Sequence, residues 1–420
     1  MKRVLAIFAL SGLMAADNVQ AEVSDEEFAA LREQLAAVSA RLDELAAENA
    51  ELRKSQAQTT AAAPAPVAAA ETWTDRVKLD GDFRYRFEDI DAEGSSTRQR
   101  SRVRARVNLK AQASDNVEIG VGLATGGSDP VSTNQTLGSG GSSKGVVLNL
   151  AYANWKINDQ FNLIGGKFKN PLHRPAKNPM MWDGDWTPEG LAVTYKNGRY
   201  FANLIGTYLE SDTRRDNSFA WGGQFGATGS VGDIKLKGGI GFYSMETRGN
   251  ETSFGDTTDA GDFFGNSAIE AGGAACGTTP GADCFYLYDY KLTEVFGEAS
   301  TRIGDWPATF FMNYVTNSDA SSNDTAWTIG TQIGQTKNPG EMRFTYYYAD
   351  KEADSMLGLL SDSDFGGGGT DSKGHFLQFN YGVNKSWTIG AQYFINESNV
   401  ASGANSDYNR LMIDSAWKWK

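Results

Sequence analysis

Between Arg98 and Lys110 the chain reads RQRSRVRARVNLK, so Arg98, Arg100, Arg102, Arg104, Arg106, Asn108 and Lys110 alternate with Ser101, Val103, Ala105, Val107 and Leu109. Successive side chains of a β-strand point to opposite faces, which makes one face a cationic ladder and the other mostly apolar. Unpaired guanidinium groups cannot enter a dry core, and the apolar face needs cover. A soluble sandwich meets neither demand cheaply, whereas a water-filled barrel in a membrane meets both. The preceding stretch, VKLDGDFRYRFED from Val77, repeats the pattern. Val77, Leu79, Phe83, Tyr85 and Phe87 share one face, and Lys78, Asp80, Asp82, Arg84, Arg86 and Glu88 share the other. Polar residues at that density need water.

Lys2 and Arg3 precede the apolar run Val4 to Ala16, and Val19-Gln20-Ala21 matches a small-residue cleavage site. Residues 1–21 therefore read as a secretory signal peptide, with a retained membrane anchor as the alternative. Beyond them no apolar stretch approaches the roughly 18 residues of a spanning helix. The mean hydropathy of −0.42 agrees. A helical membrane protein is excluded, but a β-barrel is not, because alternating strands look polar on average. The 47 Gly, 22 Phe, 16 Tyr and 10 Trp suit tight turns and interfacial aromatic girdles. The formal charge of −13 becomes −14 once Lys2, Arg3 and Asp17 leave with the signal, which opposes nucleic-acid binding. Cys276 and Cys284, the only cysteines, lie eight positions apart in a Gly-rich segment, and a secreted context favours a loop-closing disulfide over a metal site.

From Phe28 the apolar residues fall in heptads, with Phe28, Leu35, Leu42 and Asn49 in one core position and Leu31, Val38, Leu45 and Leu52 in the other. This predicts a coiled coil over residues 22–54, opened by a capping box at Ser24 and Glu27. Asn49 would fix its register. The alternative is an amphipathic helix folded against its own barrel or into its lumen. A mainly Leu seam does not choose between two strands and three. Residues 55–72, SQAQTTAAAPAPVAAAET, have no hydrophobic pattern and read as an Ala/Pro-rich linker. Zipper and linker together could reach on the order of 100 Å, at ~1.5 Å per helical and ~3.1 Å per extended residue, which suits a periplasmic stalk.

Residues 73–420 alternate strand patterns with turn signals. Short turns fall at 114–116, 158–159, 197–198, 230–233, 304–305, 338–340 and 384–385. Long loops occupy roughly 88–98, 126–146, 169–189, 210–219, 244–287, 317–324, 351–373 and 396–406. Seven short turns and eight long loops join 16 strands, giving an all-β, 16-stranded antiparallel transmembrane barrel preceded by a helix. An even number returns both ends of the barrel to the periplasmic side.

The loop KNPLHRPAKNPMMWDGDWTPEGL carries four prolines and two tryptophans, so it is stiff and apolar rather than a solvated tip. Folded inward over about 169–189, it would bring Asp183, Asp185 and Glu189 against a wall of Arg84, Arg86, Arg100, Arg102, Arg104, Arg106 and Lys110. Opposed charges across a narrow pore create a transverse field. The alternative is a loop packed on the barrel rim. The Asp-rich loops around Asp256 to Asp262 and Asp350 to Asp364 are expected to be solvated, with calcium or lipopolysaccharide as candidate ligands.

GSDPVSTNQTLG at 127–138, LNLAYANWKI at 148–157, GGKFKNP at 165–171 and WDGDWTPEGL at 182–191 resemble the putative porin family of Gram-negative outer membranes. The Arg-rich second strand and the heptads before the barrel are also similar to members of that group. The resemblance implies a trimeric 16-stranded diffusion channel, making Leu31, Leu35, Val38, Leu42, Leu45, Asn49 and Leu52 a trimerisation seam.

Catalysis is not expected, since the only histidines, His173 and His375, lie in no nucleophile motif. The reading is a porin for passive diffusion of small hydrophilic solutes and ions, with no cofactor and no metal. An anion- or phosphate-selective channel and an envelope tether are the alternatives. Expected partners are outer-membrane lipid, lipopolysaccharide, two further copies of the chain and the cell wall through the stalk.

Overall fold

The computed structural model describes residues 25–61, 73–211, 218–401, 403 and 405–420. The expected signal peptide and the linker beyond residue 61 lie outside the described residues. The chain divides into two units, Met1–Thr72 and Trp73–Lys420.

In the first unit a single helix, α1, runs over Asp25–Ala61. It continues through 55–61, which were expected in the linker, because Gln and Ala propagate a helix well and the first residue that cannot is Pro64. Val38, Leu45 and Leu52 are 60%, 41% and 57% exposed among the described residues, so this part of the apolar seam is open. Asn49 donates to the Leu45 carbonyl at 3.1 Å.

The second unit is a closed, 16-strand antiparallel barrel. Its strands are β1 Val77–Ala92, β2 Arg98–Ser114, β3 Val117–Thr125, β4 Val146–Lys156, β5 Phe161–Lys167, β6 Glu189–Asn197, β7 Tyr200–Glu210 and β8 Ser218–Val231. They continue with β9 Ile234–Met245, β10 Tyr290–Ile303, β11 Trp306–Asn317, β12 Thr325–Gly334, β13 Met342–Lys351, β14 Ser372–Gly382, β15 Trp387–Ser398 and β16 Ser406–Trp419. Each strand pairs with the next, and β1 closes on β16 from Gly81 opposite Trp419 to Ala92 opposite Tyr408. Tight turns such as those at Gly198 (φ 50°) and Gly232 (φ 56°) occupy one end, where glycine takes the left-handed backbone without strain.

Alternation sets the two faces of the wall. Leu79, Phe83, Tyr85, Val107, Leu109, Trp221, Phe242 and Phe344 are among the large apolar side chains exposed on the outside. A belt of that kind meets lipid. The inside is not uniformly wet. Inward residues of β6 to β12, including Ile205, Tyr243, Leu292 and Val315, form one buried cluster with Leu172, Trp182, Trp186, Phe263 and Leu360 from three loops. A second buried cluster, of Phe311, Tyr347, Phe365, Phe376, Phe394 and Met412, lines β11 and β13 to β16 beside the charged wall.

Candidate functional site

The register of β1 on β2 sets Arg84 opposite Arg104 and Arg86 opposite Arg102, so like charges meet directly across the ladder. Such pairs repel unless carboxylates are interleaved. Asp82 supplies one, at 3.0 Å from Arg104 and 2.8 Å from Arg106. Glu88, fully buried, lies 2.5 Å from Arg100, 3.6 Å from Arg102 and 3.0 Å from Arg410. Asp414 holds Arg86 in a two-pronged pair at 2.7 and 2.8 Å. Lys110 sits apart at 2.9 Å from Asp80. Arg410 and Asp414 were not named as site residues from the sequence, although the β16 alternation that turns Leu411 and Ile413 outward necessarily turns them inward.

Residues 168–188 fold into the barrel. The His173 amide donates to Gln224 of β8 at 2.7 Å, and the Ala176 amide donates to Glu298 of β10 at 2.8 Å. Trp182 stacks on Trp186 with ring centres 4.9 Å apart, which seats the segment in the apolar core. Asp185 then reaches the ladder, 2.9 Å from Arg106 and 3.4 Å from Arg104. Burial works to raise the Asp185 carboxyl, but Arg104, Arg106 and Arg84 hold it down to about 2.

The other two expected acids go elsewhere. Asp183 accepts the amides of Asp185 at 2.7 Å and Ser363 at 3.1 Å, turning away from the ladder. Burial and the charges of Asp185 and Asp362 push its carboxyl well above the ordinary range. Glu189 begins β6, pairs with Lys167 at 2.6 Å and is 61% exposed. Its strand position shares the Leu191 face, which looks out of the barrel.

A second inward segment, 352–371, was expected to be a solvated acidic tip. It is instead buried from Ala353 to Asp362. Asp183 donates its amide to the Leu360 carbonyl at 2.9 Å, and Ser361 donates its hydroxyl to the Met180 carbonyl at 2.7 Å, locking the two segments together. Asp364 pairs with Arg86 at 3.3 Å and Arg410 at 3.0 Å. The apolar run Met356-Leu357-Gly358-Leu359-Leu360 was the signal that this loop would not stay in water. The other Asp-rich stretch, around Asp256 to Asp262, fits its expectation better, with Asp256 and Asp259 exposed.

Between these segments and the walls lies a cavity of about 430 Å³ lined by Arg84, Arg86, Arg104, Arg174, Arg343 and Lys177 together with Asp183, Asp185, Asp362, Asp364 and Asp414. The model of the family described as "Putative porin" matches residues 91–267 and 291–418, which is most of the barrel. The chain belongs to this family. In fold this porin is similar to OprB of Pseudomonas putida, with 11% identity, a TM-score of 0.56 and coverage of 82% of this chain and 95% of that one. OmpF of Salmonella typhi in complex with daunomycin matches with 12% identity over 83% and 100% of the two chains, at a TM-score of 0.48. No curated protein sequence matches the chain. Family and fold together indicate a porin channel of the Gram-negative outer membrane.

Both histidines sit beside polar side chains of the barrel. His173 lies 2.9 Å from Lys237 and 3.6 Å from Glu298, and His375 lies 3.0 Å from the Tyr346 hydroxyl. Among the described residues no group of His, Cys, Asp and Glu is placed to hold a metal ion. Cys276 and Cys284 are joined by a disulfide within the loop between β9 and β10, beside the short pairing of Ala268–Glu270 with Cys284–Tyr286.

Proposed function

We propose that this porin forms a water-filled channel for passive diffusion of small hydrophilic solutes and ions, narrowed where residues 168–188 meet the arginine ladder. The observation that carries this reading is the double contact of Asp185 with Arg104 and Arg106 beside a cavity of about 430 Å³ that Asp185 and Arg104 help to line. A loop that crosses the lumen and ties to the far wall sets the cross-section there, and the fixed charges act on whatever water and solute remain. No energy coupling is required.

The exposed Val38, Leu45 and Leu52 of α1 support a further assignment, a trimeric periplasmic stalk in which three copies cover one another's seams. The outward belt supports contact with membrane lipid, and the exposed loops are the surface available to lipopolysaccharide.

The test is single-channel recording of the purified full chain in planar bilayers. Stepwise, ohmic conductance is expected, whereas protein that inserts yet gives no steps would sink the channel reading.

A further inference from the structure

We infer that the water path through this barrel favours anions, and that its narrow part takes small hydroxylated solutes bearing a carboxylate or phosphate group. The inference rests on the channel reading above and names the class of solute that the channel admits. It comes from the partners of each charged group rather than from the number of charges.

Among the described residues, every carboxylate lining the 430 Å³ cavity is already engaged. Asp185 is bound to Arg104 and Arg106, Asp364 to Arg86 and Arg410, and Asp414 to Arg86. Asp183 accepts two backbone amides, and Asp362 accepts the Asp364 amide at 2.9 Å. The cations of the same cavity are not matched in this way. Arg343 and Lys177 are in no ion pair, and Arg174 donates to the Trp182 carbonyl at 3.0 Å without meeting a carboxylate. The nearest carboxylate oxygen to Arg84 is that of Asp414, at 3.9 Å. The Nε atoms of Arg84 and Arg343 are buried without a hydrogen-bond partner.

The excess continues along the barrel. Arg174, Lys177 and Arg343 also line a second cavity of about 1040 Å³, which extends past Lys196 and Arg199 at the short-turn end. Seven Lys or Arg residues line it against one carboxylate, Glu298. That carboxylate accepts the Ala176 amide at 2.8 Å and stands 3.6 Å from His173. A cation entering this path meets fixed guanidinium and ammonium groups with no free acid to replace its lost water, while an anion meets unsatisfied donors. Guanidinium groups suit carboxylate and phosphate in particular, because their planar fork can bond two oxygens at once. Gln332, Gln378, Asn380 and Gln392 line the facing wall of the first cavity and offer neutral partners for hydroxyl groups. The chain as a whole carries −13, so the preference is local to the path and opposes the net charge.

The test uses purified full chain in planar bilayers under a KCl gradient, followed by proteoliposome uptake of gluconate against glucose. The expected reversal potential has the sign of chloride permeation, millimolar inorganic phosphate lowers the chloride current, and gluconate enters faster than glucose. Arg343→Gln with Lys177→Gln lowers the chloride-to-potassium permeability ratio by about fivefold or more per charge removed, the size Coulomb's law gives for one ion at about 4 Å in water. Arg343→Lys retains the ratio, and unchanged heat-modifiable migration on gels shows that the variants are folded. Stepwise conductance without anion preference, or with the same ratio in the double Gln variant, overturns the inference and leaves the channel intact. Absence of any conductance overturns the channel reading itself.

Discussion

The two segments that enter the barrel, 168–188 and 352–371, share one apolar core through residues such as Phe168, Met180 and Trp182 on the first and Met356 and Leu360 on the second, yet differ in how they meet the open cavity. The first is spread along the interior, pinned at Gln224, at Glu298 and, through Asp185, at the ladder. Its charged end borders the open cavity. The second is held mostly by burial, with Met356, Leu357, Leu359 and Leu360 at 1%, 2%, 4% and 2% exposure, and by Asn266, which bonds Ala353, Met356 and Gly358. Apolar burial acts over the whole contact area and is insensitive to salt, whereas an ion pair at a wet edge is screened. The segment at the edge of the path is therefore the tunable one, and the segment behind it is the brace.

The sharpest way to break this division is to cut the brace. Leu360→Ala leaves a cavity in the shared core and is expected to cost about 2–5 kcal/mol, the usual range for a fully buried leucine. Both segments should loosen together, since Asp183 bonds the Leu360 carbonyl. Limited proteolysis should then cut within 352–371 and 168–188 at similar rates, with single-channel current turning noisy. Cleavage confined to 352–371 would show that the first segment stands without its brace.

How far the sequence alone reaches can be seen from the same two segments. The barrel was legible because alternation and turn chemistry act locally, and parity alone assigns Arg104 and Arg106 to the interior. The prolines and tryptophans of 169–189 marked a stiff apolar segment, and Trp182 and Trp186 are buried at 3% and 7% exposure. Its exact contacts were not legible, because Asp183, Asp185 and Glu189 are equivalent in composition and differ only in which way a rigid turn aims them. The segment 352–371 was misread because its aspartates outweighed the apolar run between them. Asp364 is tolerable inside because Arg86 and Arg410 receive it, and Asp354 because the Ser267 amide and hydroxyl do, all of them remote in sequence. The exposed seam of α1 shows the converse, since a heptad pattern states that a partner is needed without stating how many.

A smaller effect isolates the tunable segment. Asp185→Asn removes the loop's charge from the ladder while Asp82 still neutralises part of Arg104 and Arg106. The loss in stability should be small beside that of Leu360→Ala, and the thermal unfolding curve should move little. Permeability should respond more, with a shift of the reversal potential further toward chloride because one fixed negative charge has left the path. A shift toward potassium would mean that Asp185 acts only by positioning the arginines.

The smallest expected effect is a pH response confined to the junction of the two segments, and its sign follows from which carboxylates are raised and which are lowered. Burial pushes up Asp183 and Asp362, the latter against the pull of Lys351, so the docked state binds their protons more tightly than the undocked state does. Docking therefore strengthens as pH falls through those raised values, and stops strengthening near pH ~4, where free carboxylates also protonate. Asp364 behaves oppositely. Burial would raise it, but Arg410 and Arg86 hold it well below the ordinary range, as the ladder arginines hold Asp185 at about 2. The contribution of that second pair is complete above pH ~4 and is lost as pH falls further toward their own values. Docking should thus be tightest in weak acid, with each tenfold difference in proton affinity worth about 1.4 kcal/mol. Hydrogen exchange of the Asp183 and Ser363 amides, corrected for intrinsic rates, should slow from neutrality to weak acid and quicken again below it. Asp183→Asn should flatten the first arm and Asp364→Asn the second. Protection that falls steadily from neutrality downward would mean that the ladder pairs alone hold the segments in place.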